Sequence, residues 1–125
     1  FSPQVILETS EKAFYDYFVR QDIKIDYLHI DGDHSYEGVK KDFELYSSIM
    51  SENAIITIHD IDQNYHDTFV VTENAKEDFV PFDGPAKYIK DLEKNSDWNL
   101  VNLKNYRMFD KKVTSTGITL LTRKA

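Results

Sequence analysis

The sequence predicts an α/β fold in three layers, with a mostly parallel sheet between helices and an antiparallel hairpin at the C-terminal edge of the sheet. Three observations lead to this prediction. Short apolar runs typical of strands alternate with amphipathic segments typical of helices, which favours parallel strands covered by helices. Two of those runs end in polar tips. The last two runs are joined by a short connection, as in an antiparallel pair.

Composition narrows the class of protein. The chain has 125 residues, of which 41% are hydrophobic and 30% charged, so we expect one folded domain or part of one. The net charge is −7 and no basic cluster occurs, so a nucleic-acid partner is not expected. No apolar run approaches the roughly 20 residues that span a bilayer, and we expect no membrane partner. The absence of Cys is compatible with a reducing cytosol, and a cytoplasmic location is expected.

The first segment, QVILETSEKAFYDYF, predicts a strand, a turn and a helix. Residues 5–7 form a short apolar run. Thr9 and Ser10 are residue types that cap helix N-termini, and Glu11 adds favourable negative charge to the first turn. Three aromatic residues then recur at helical spacing and should share one face: Phe14, Tyr17 and Phe18.

The central segment predicts two strands separated by a helix. Residues 25–30 have strand character, and residues 36–50 place apolar side chains three or four positions apart, as an amphipathic helix does. Residues 54–58 form the next strand. Both strands are followed at once by polar residues, so each ends in a polar tip.

The rest of the chain predicts a long loop and then four further segments. Residues 61–83 lack helical periodicity and are interpreted as a loop with a short extended piece at 69–71, which would suit an active-site lid. The remaining segments are a helix at 84–94 with Pro85 in its first turn, a strand at 98–106, a hairpin connection at 107–116 and a strand at 117–122.

The two polar tips are candidates for a metal site. One is Asp31-Gly32-Asp33-His34, and the other is His59-Asp60, followed by Asp62. Ligands of open α/β sheets bind beyond the carboxyl ends of the strands, and parallel neighbours lie about 4.8 Å apart. Asp31 and Asp60 should therefore reach one divalent cation such as Mg²⁺. A ligand from His59 or His34 would shift the preference toward Mn²⁺, Fe²⁺ or Zn²⁺.

Each of these residues also has a simpler interpretation. Asp33 or Ser35 would serve as the N-cap of the helix that follows. His34 is either a general base or a hydrogen-bonded turn residue, and the residues alone leave both open. His29 lies within a strand and is expected to be structural. His66 is expected to be a solvated loop residue.

The stretch IDYLHIDGDHSYEGVKKDFELYSSIM, followed by AIITIHDI, resembles the class I S-adenosylmethionine-dependent methyltransferase family. Within that family it is similar to macrocin-type sugar O-methyltransferases and to cephalosporin-hydroxylase-like proteins. The match covers residues 23–61. The resemblance implies a Rossmann-like fold in which residues 25–30 and 54–58 are the fourth and fifth strands and the last two predicted strands form the antiparallel pair.

The resemblance also implies roles for individual residues. Asp31 and Asp60 fall on positions that hold a divalent cation, and His34 falls on the general base of sugar-methylating relatives. Cofactor contacts fall on Thr9 and Ser10, with Asp31 also on the cofactor side. The implied activity is methyl transfer from S-adenosylmethionine to a hydroxyl of a small molecule or sugar.

One feature of the family is absent. The chain has four glycines, none in a G-x-G sequence, whereas the family's cofactor signature is a glycine-rich turn after the first strand. Residues 1–125 are therefore expected to be the C-terminal portion of a single methyltransferase-like domain without its first strands. The alternatives are a metal-dependent hydrolase or phosphatase and a non-catalytic binding module. A missing N-terminal half or a second copy of the chain is the expected partner.

Overall fold

The structure is a computed structural model that describes residues 2–62, 83–95, 97–104, 106–109 and 112–125. Most of the predicted loop at 61–83, its extended piece at 69–71 and His66 lie outside the described residues. Within the described residues, no helix is both long enough and apolar enough to cross a membrane.

Helices and strands alternate along the chain as predicted. The helices are α1 (Ser10–Ala13), which continues as a π-helical segment (Phe14–Val19), α2 (Tyr36–Ser47) and α3 (Gly84–Glu93). The strands are β1 (Ile25–Ile30), β2 (Met50–His59), β3 (Trp98–Leu103), β4 (Tyr106–Phe109), β5 (Lys112–Ser115) and β6 (Ile118–Arg123).

Four strands form the main sheet, in the order β1-β2-β6-β3. Strands β1 and β2 are parallel, and β6 is antiparallel to both of its neighbours, so β1, β2 and β3 share one direction. The described part of the sheet is therefore mostly parallel with an antiparallel pair at its C-terminal side, as predicted. Strands β4 and β5 form a separate two-stranded antiparallel hairpin.

The hydrophobic core lies between one face of this sheet and the helices α2 and α3. Every second residue of a strand points its side chain to this face. There it contacts apolar side chains that recur at helical spacing on the two helices. The buried residues of this core are Ile30, Val39, Phe43, Ile56, Ile58, Ile61, Tyr88, Ile89, Leu92 and Leu121. The π-helical segment packs on α2, where the ring of Tyr46 contacts the rings of Phe14 and Phe18.

The opposite face of the sheet, which we call the open face, carries apolar side chains that remain exposed. Tyr27 on β1 and Ile55 on β2 are register partners on this face, and both are exposed. Val101 and Leu103 on β3 lie on the same face, and each is more than half exposed. The described residues thus supply the sheet and one of the two helical layers of the predicted three-layer arrangement.

The predicted strand at residues 5–7 was wrong. Residues 2–7 form neither helix nor strand, and the side chains of Val5 and Leu7 are largely exposed. An apolar run becomes a strand only where its backbone finds a hydrogen-bonding neighbour, and no described strand pairs with this one. The predicted helix start was confirmed, because Thr9 is the N-cap of α1 and its side chain accepts a hydrogen bond from the backbone of Lys12.

Two boundaries differ from prediction. Helix α2 ends at Ser47, and Met50, predicted to close it, instead begins β2, where it is the register partner of Ile25. Met50 is apolar and suits either element, and the pairing with β1 decides the outcome. Strand β3 ends at Leu103 rather than Tyr106, because the chain enters the β4–β5 hairpin at Tyr106.

Candidate functional site

The two polar tips meet at one edge of the sheet. Ile30 and Ile58 are register partners at the ends of two parallel strands, so the residues that follow them emerge side by side. Asp31, His34 and Asp60 each place one potential ligand atom within 4.8 Å of the others. His59, the last residue of β2, lies beside them.

Asp60 and His34 are in direct contact. The Nε2 atom of His34 lies 2.8 Å from Oδ2 of Asp60, which is hydrogen-bonding distance. The same nitrogen is 3.8 Å from Oδ1 of Asp31. Asp60 is 6% exposed, so the carboxylate is removed from water while the ring of His34 remains partly accessible. This arrangement orients the imidazole.

Among the described residues, two buried atoms at the same edge of the sheet lack hydrogen-bond partners. These are Nδ1 of His59 and Oδ1 of Asp60, which lie 3.1 Å apart without hydrogen-bonding geometry. Nδ1 of His59 is also 3.5 Å from Oδ1 of Asp31. Buried polar atoms are costly unless they are satisfied, and a nitrogen and an oxygen facing the same space form a donor set that suits a divalent cation.

Asp60 has a left-handed backbone conformation. Its φ is 56°, a region that costs most L-residues about 1–2 kcal/mol and that Asp and Asn tolerate best. Its N–H donates to the carbonyl of Gly117 at 3.1 Å, which anchors the turn to the residue before β6. The backbone therefore directs the Asp60 side chain back toward His34 instead of along the strand direction.

The residues between Asp31 and α2 form a compact turn. Ser35 is the N-cap of α2, since its hydroxyl accepts from the backbone of Gly38 at 3.0 Å. Asp33 caps the turn, because its Oδ1 accepts from the backbone N–H of Ser35 at 2.8 Å. That hydrogen bond lowers the pKa of Asp33 below its ordinary value. Asp33 is also exposed, and of the two residues considered as the N-cap of α2, the structure assigns that role to Ser35.

Helix α3 packs directly on the backbone of the candidate general base. The N–H of Gly84, the first residue of α3, donates to the carbonyl of His34 at 3.1 Å. A Cβ at Gly84 would clash with the backbone atoms of His34, Ser35 and Tyr36. Glycine is therefore required where α3 approaches the turn, and this contact helps to fix the position of His34.

A cavity of about 570 Å³ lies beside the same turn. It is lined by Thr9 and Ser10, the predicted cofactor contacts, and by Gly32 and Asp33 from the polar tip. The wall also includes Asp42, whose Oδ1 accepts from the hydroxyl of Ser10 at 2.5 Å. The cavity is rich in hydroxyls and carboxylates, which suits a ligand that carries several hydrogen-bond donors.

Asp62 is close in sequence but belongs to a different contact. Its buried carboxylate lies 3.7 Å from Nζ of Lys104, and its N–H donates to the carbonyl of Thr116 at 3.0 Å. It lines a smaller cavity next to α3 and does not belong to the group formed by Asp31, His34 and Asp60.

Sequence reasoning missed two contributors to this region. His29 was expected to be structural, yet its ring is 42% exposed and faces the site, with Nε2 4.0 Å from Oδ2 of Asp31. Gly84 was expected only to begin a helix. The alternation of β1 could have indicated that His29 lies on the face opposite the core, since Ile30 faces the core.

The chain is similar to known proteins in part of its sequence and in its fold. Residues 3–61 match a family described as a methyltransferase domain, a range that includes both polar tips. No curated protein sequence matches the chain significantly.

Three solved structures with similar folds share 10–14% sequence identity with the chain. An O-methyltransferase from Bacillus cereus, in complex with SAH, has 10% identity and a TM-score of 0.62; the alignment covers 92% of this chain and 47% of that one. The O-methyltransferase TomG from Streptomyces achromogenes, in complex with SAM, has 14% identity and a TM-score of 0.51, covering 82% and 41%. A Klebsiella pneumoniae protein described as an O-methyltransferase has 14% identity and a TM-score of 0.60, covering 93% and 47%. The chain thus spans about half the length of these structures.

Proposed function

We propose that this chain, whose residues 3–61 match a family described as a methyltransferase domain, forms the acceptor side of a class I S-adenosylmethionine-dependent methyltransferase site. The proposed reaction is methyl transfer from S-adenosylmethionine to a hydroxyl oxygen of a small molecule or sugar, assisted by a divalent cation. One observation carries the proposal. The segment from Asp31 to His34 takes part in two adjacent sites. Its middle residues, Gly32 and Asp33, line the 570 Å³ cavity, and its ends, Asp31 and His34, form a carboxylate–histidine group with Asp60.

The cavity fits the adenosine end of the cofactor. Its volume lies in the range of ordinary small-molecule sites, roughly 300–1,000 Å³. Adenosine offers an amino group and ribose hydroxyls as donors, and the wall offers the carboxylates of Asp33 and Asp42 as acceptors. Thr9 and Ser10 lie on the same wall. The chain has no G-x-G sequence, so the proposal assigns only this end of the cofactor to these residues.

The two polar tips together fit a divalent cation. The residues that would hold it are Asp31, Asp60 and His59, and the unpartnered Oδ1 of Asp60 and Nδ1 of His59 are the atoms that support this choice. A bound cation would orient the acceptor and lower the pKa of its hydroxyl. His59 as a ligand favours Mn²⁺ or another first-row ion over Mg²⁺.

His34 is the proposed general base. Its imidazole would accept the proton that the acceptor hydroxyl loses as the oxygen bonds to the methyl carbon, while the methyl–sulfur bond breaks and S-adenosylhomocysteine leaves. In the resulting imidazolium, the Nε2 proton is donated to Oδ2 of Asp60, at the 2.8 Å separation already present. Asp60 therefore holds the ring in place. The N-terminus of α3, through Gly84, fixes the backbone that carries His34.

The open face of the sheet and the edge of β1 are the proposed contact with a partner, either a second copy of the chain or the remaining part of a methyltransferase domain. The exposed apolar side chains of Tyr27, Ile55, Val101 and Leu103 support this proposal. A cytoplasmic location and the absence of nucleic-acid and membrane partners belong to the same proposal. Imaging of the tagged protein tests the location.

Gly32 allows a direct test of the cofactor cavity. Its φ is not in the left-handed region, and a Cβ there would meet only Oδ2 of Asp42, at 3.8 Å, so a larger side chain enters the cavity without disturbing the turn. We expect Gly32→Val to weaken binding of S-adenosylhomocysteine by the full protein at least tenfold in isothermal titration calorimetry, with an unchanged melting temperature. Equal affinity of the wild type and Gly32→Val for S-adenosylhomocysteine would show that the cavity is not part of the cofactor site. Zn²⁺-dependent ester cleavage without methyl transfer would favour the hydrolase alternative.

A further inference from the structure

We propose that His29 is a positioning residue for Asp31 and that Thr57 and Tyr27 hold its ring in the required orientation. The proposal rests on the cation site described above. The three side chains form a hydrogen-bonded group on the open face of the sheet. One residue separates His29 from the polar tip of its strand, and one residue separates Thr57 from the tip of the other. None of these three side chains is part of the proposed ligand set or the proposed acid–base machinery.

The ring of His29 is anchored by its cross-strand neighbour. Thr57 is the register partner of His29, and its Oγ1 lies 2.8 Å from Nδ1 of the ring. The hydroxyl of Tyr27 lies 2.9 Å from the same Oγ1. Thr57 is only 7% exposed, and a β-branched side chain in a strand has few available rotamers, so its oxygen is a fixed point. Because Nδ1 is engaged by Thr57, the ring turns Nε2 toward the polar tip.

Asp31 divides its two oxygens between His29 and the cation site. Its Oδ2 lies 4.0 Å from Nε2 of His29. Its Oδ1 lies 3.8 Å from Nε2 of His34 and 3.5 Å from Nδ1 of His59. The side chain of Asp31 is 43% exposed, so water alone would allow it several orientations. The 4.0 Å separation is longer than a hydrogen bond, so the proposed role of the His29 ring is to occupy the space beside Oδ2 and thereby favour the orientation in which Oδ1 points at the cation site.

Two substitutions at Thr57 separate the hydroxyl from the packing. Thr57→Val keeps the shape and removes the oxygen, whereas Thr57→Ser keeps the oxygen and removes a methyl group. Groups that orient a metal ligand change metal affinity by about 10–100-fold when lost. We expect Thr57→Val to weaken Mn²⁺ binding to the protein by about tenfold, measured by electron paramagnetic resonance. Thr57→Ser should bind Mn²⁺ as the wild type does. If Thr57 had only a structural role, Thr57→Ser, which loses packing, should instead weaken Mn²⁺ binding more than Thr57→Val.

A second readout does not depend on any metal. In the metal-free protein, the ¹³C signal of the Asp31 carboxyl carbon should move in Thr57→Val and in His29→Ala but stay in place in Thr57→Ser. Circular dichroism melts establish that each variant is folded. An unmoved Asp31 signal in folded Thr57→Val overturns the proposal, whatever the protein's affinity for Mn²⁺. A moved signal in a protein whose wild type binds no Mn²⁺ supports the positioning role and overturns the cation in the proposed function.

Discussion

Nε2 of His34 lies 2.8 Å from Oδ2 of Asp60, a contact that joins the turn before α2 to the residue after β2. Because Asp60 is buried and His34 is partly exposed, the pair has the order expected of a base and the group that orients it. Substitutions of these two residues should separate this role from metal binding.

His34→Gln should lower kcat for methyl transfer by about 10²–10⁴-fold and leave Mn²⁺ affinity nearly unchanged, since it removes only the base. Asp60→Asn should lower both, because it removes a ligand as well as the partner of His34. Asn also tolerates the left-handed φ of 56° at this position, so the fold should persist. Radiometric methyl transfer and Mn²⁺ titration measure the two quantities, with the exposed Glu52→Gln as the control. Loss of Mn²⁺ binding in His34→Gln would make His34 a ligand.

Gly84→Ala should destabilise the protein by about 2–3 kcal/mol in urea unfolding, because its Cβ would overlap the backbone of the His34 turn. Gly38 offers a matched comparison, since a Cβ there would overlap the side chain of Asp33, whose Cγ and Oδ2 can rotate away while its Cβ, at 2.7 Å, cannot. Gly38→Ala should therefore cost less than Gly84→Ala, and replacing Asp33 by Gly should remove more of that cost than replacing it by Ala. Equal costs at the two glycines would contradict the backbone contact inferred for α3.

Tyr88 should make the fold sensitive to alkali. Burial against the rings of Tyr36 and Phe43 raises the pKa of Tyr88 well above its ordinary value of 10.0, with smaller contributions from the charges of Glu44 and Asp91. Above about pH 10 the phenol ionises in the unfolded chain and stays neutral in the folded one, so stability falls as pH rises. Tyr88→Phe should show a shallower decline between pH 9 and 11 in urea titrations. An unchanged slope would refute this assignment.

The open face should promote association. Val101→Lys and Leu103→Lys each replace a side chain that is more than half exposed, so neither should affect the core. If the open face binds a second copy, each variant should shift the 125-residue chain toward monomer in sedimentation velocity at matched concentration. The control is Leu7→Lys, which alters an exposed apolar residue outside the sheet. A wild-type chain that remains monomeric at all concentrations would leave the rest of a domain as the only proposed partner.

Much of the fold could be predicted because the sequence pattern and the sheet agree locally. Ile25–Ile30 and the residues after it were predicted as a strand with a polar tip, and parallel pairing with β2 places the two tips together. Residues 5–7 show the limit of such reasoning, since an apolar run does not reveal which backbone it will pair with. Met50 shows a similar limit, because one apolar residue suits the end of a helix and the start of a strand.

The candidate site was predictable in its composition but not in its orientation. Asp31, His34, His59 and Asp60 were all singled out from the sequence, and the structure brings them together. The left-handed backbone of Asp60 was not predicted, because it depends on a hydrogen bond to Gly117, which is distant in sequence. The direction of the His29 ring depends on Thr57 of another strand, so it could not be predicted from the sequence either.

The position of β6 in the sheet bears on the timing of folding during synthesis. Strand β3 is translated before β6, yet its pairing in the four-stranded sheet is with β6, and β6 in turn pairs with β2 across residues as far apart as Ile55 and Thr122. A ribosome-bound chain can pair β1 with β2 early, but it cannot attach β3 until Arg123 has left the exit tunnel. The turn that holds Asp60 against Gly117 also waits for that moment, so the candidate site should be assembled only at the end of this stretch of translation.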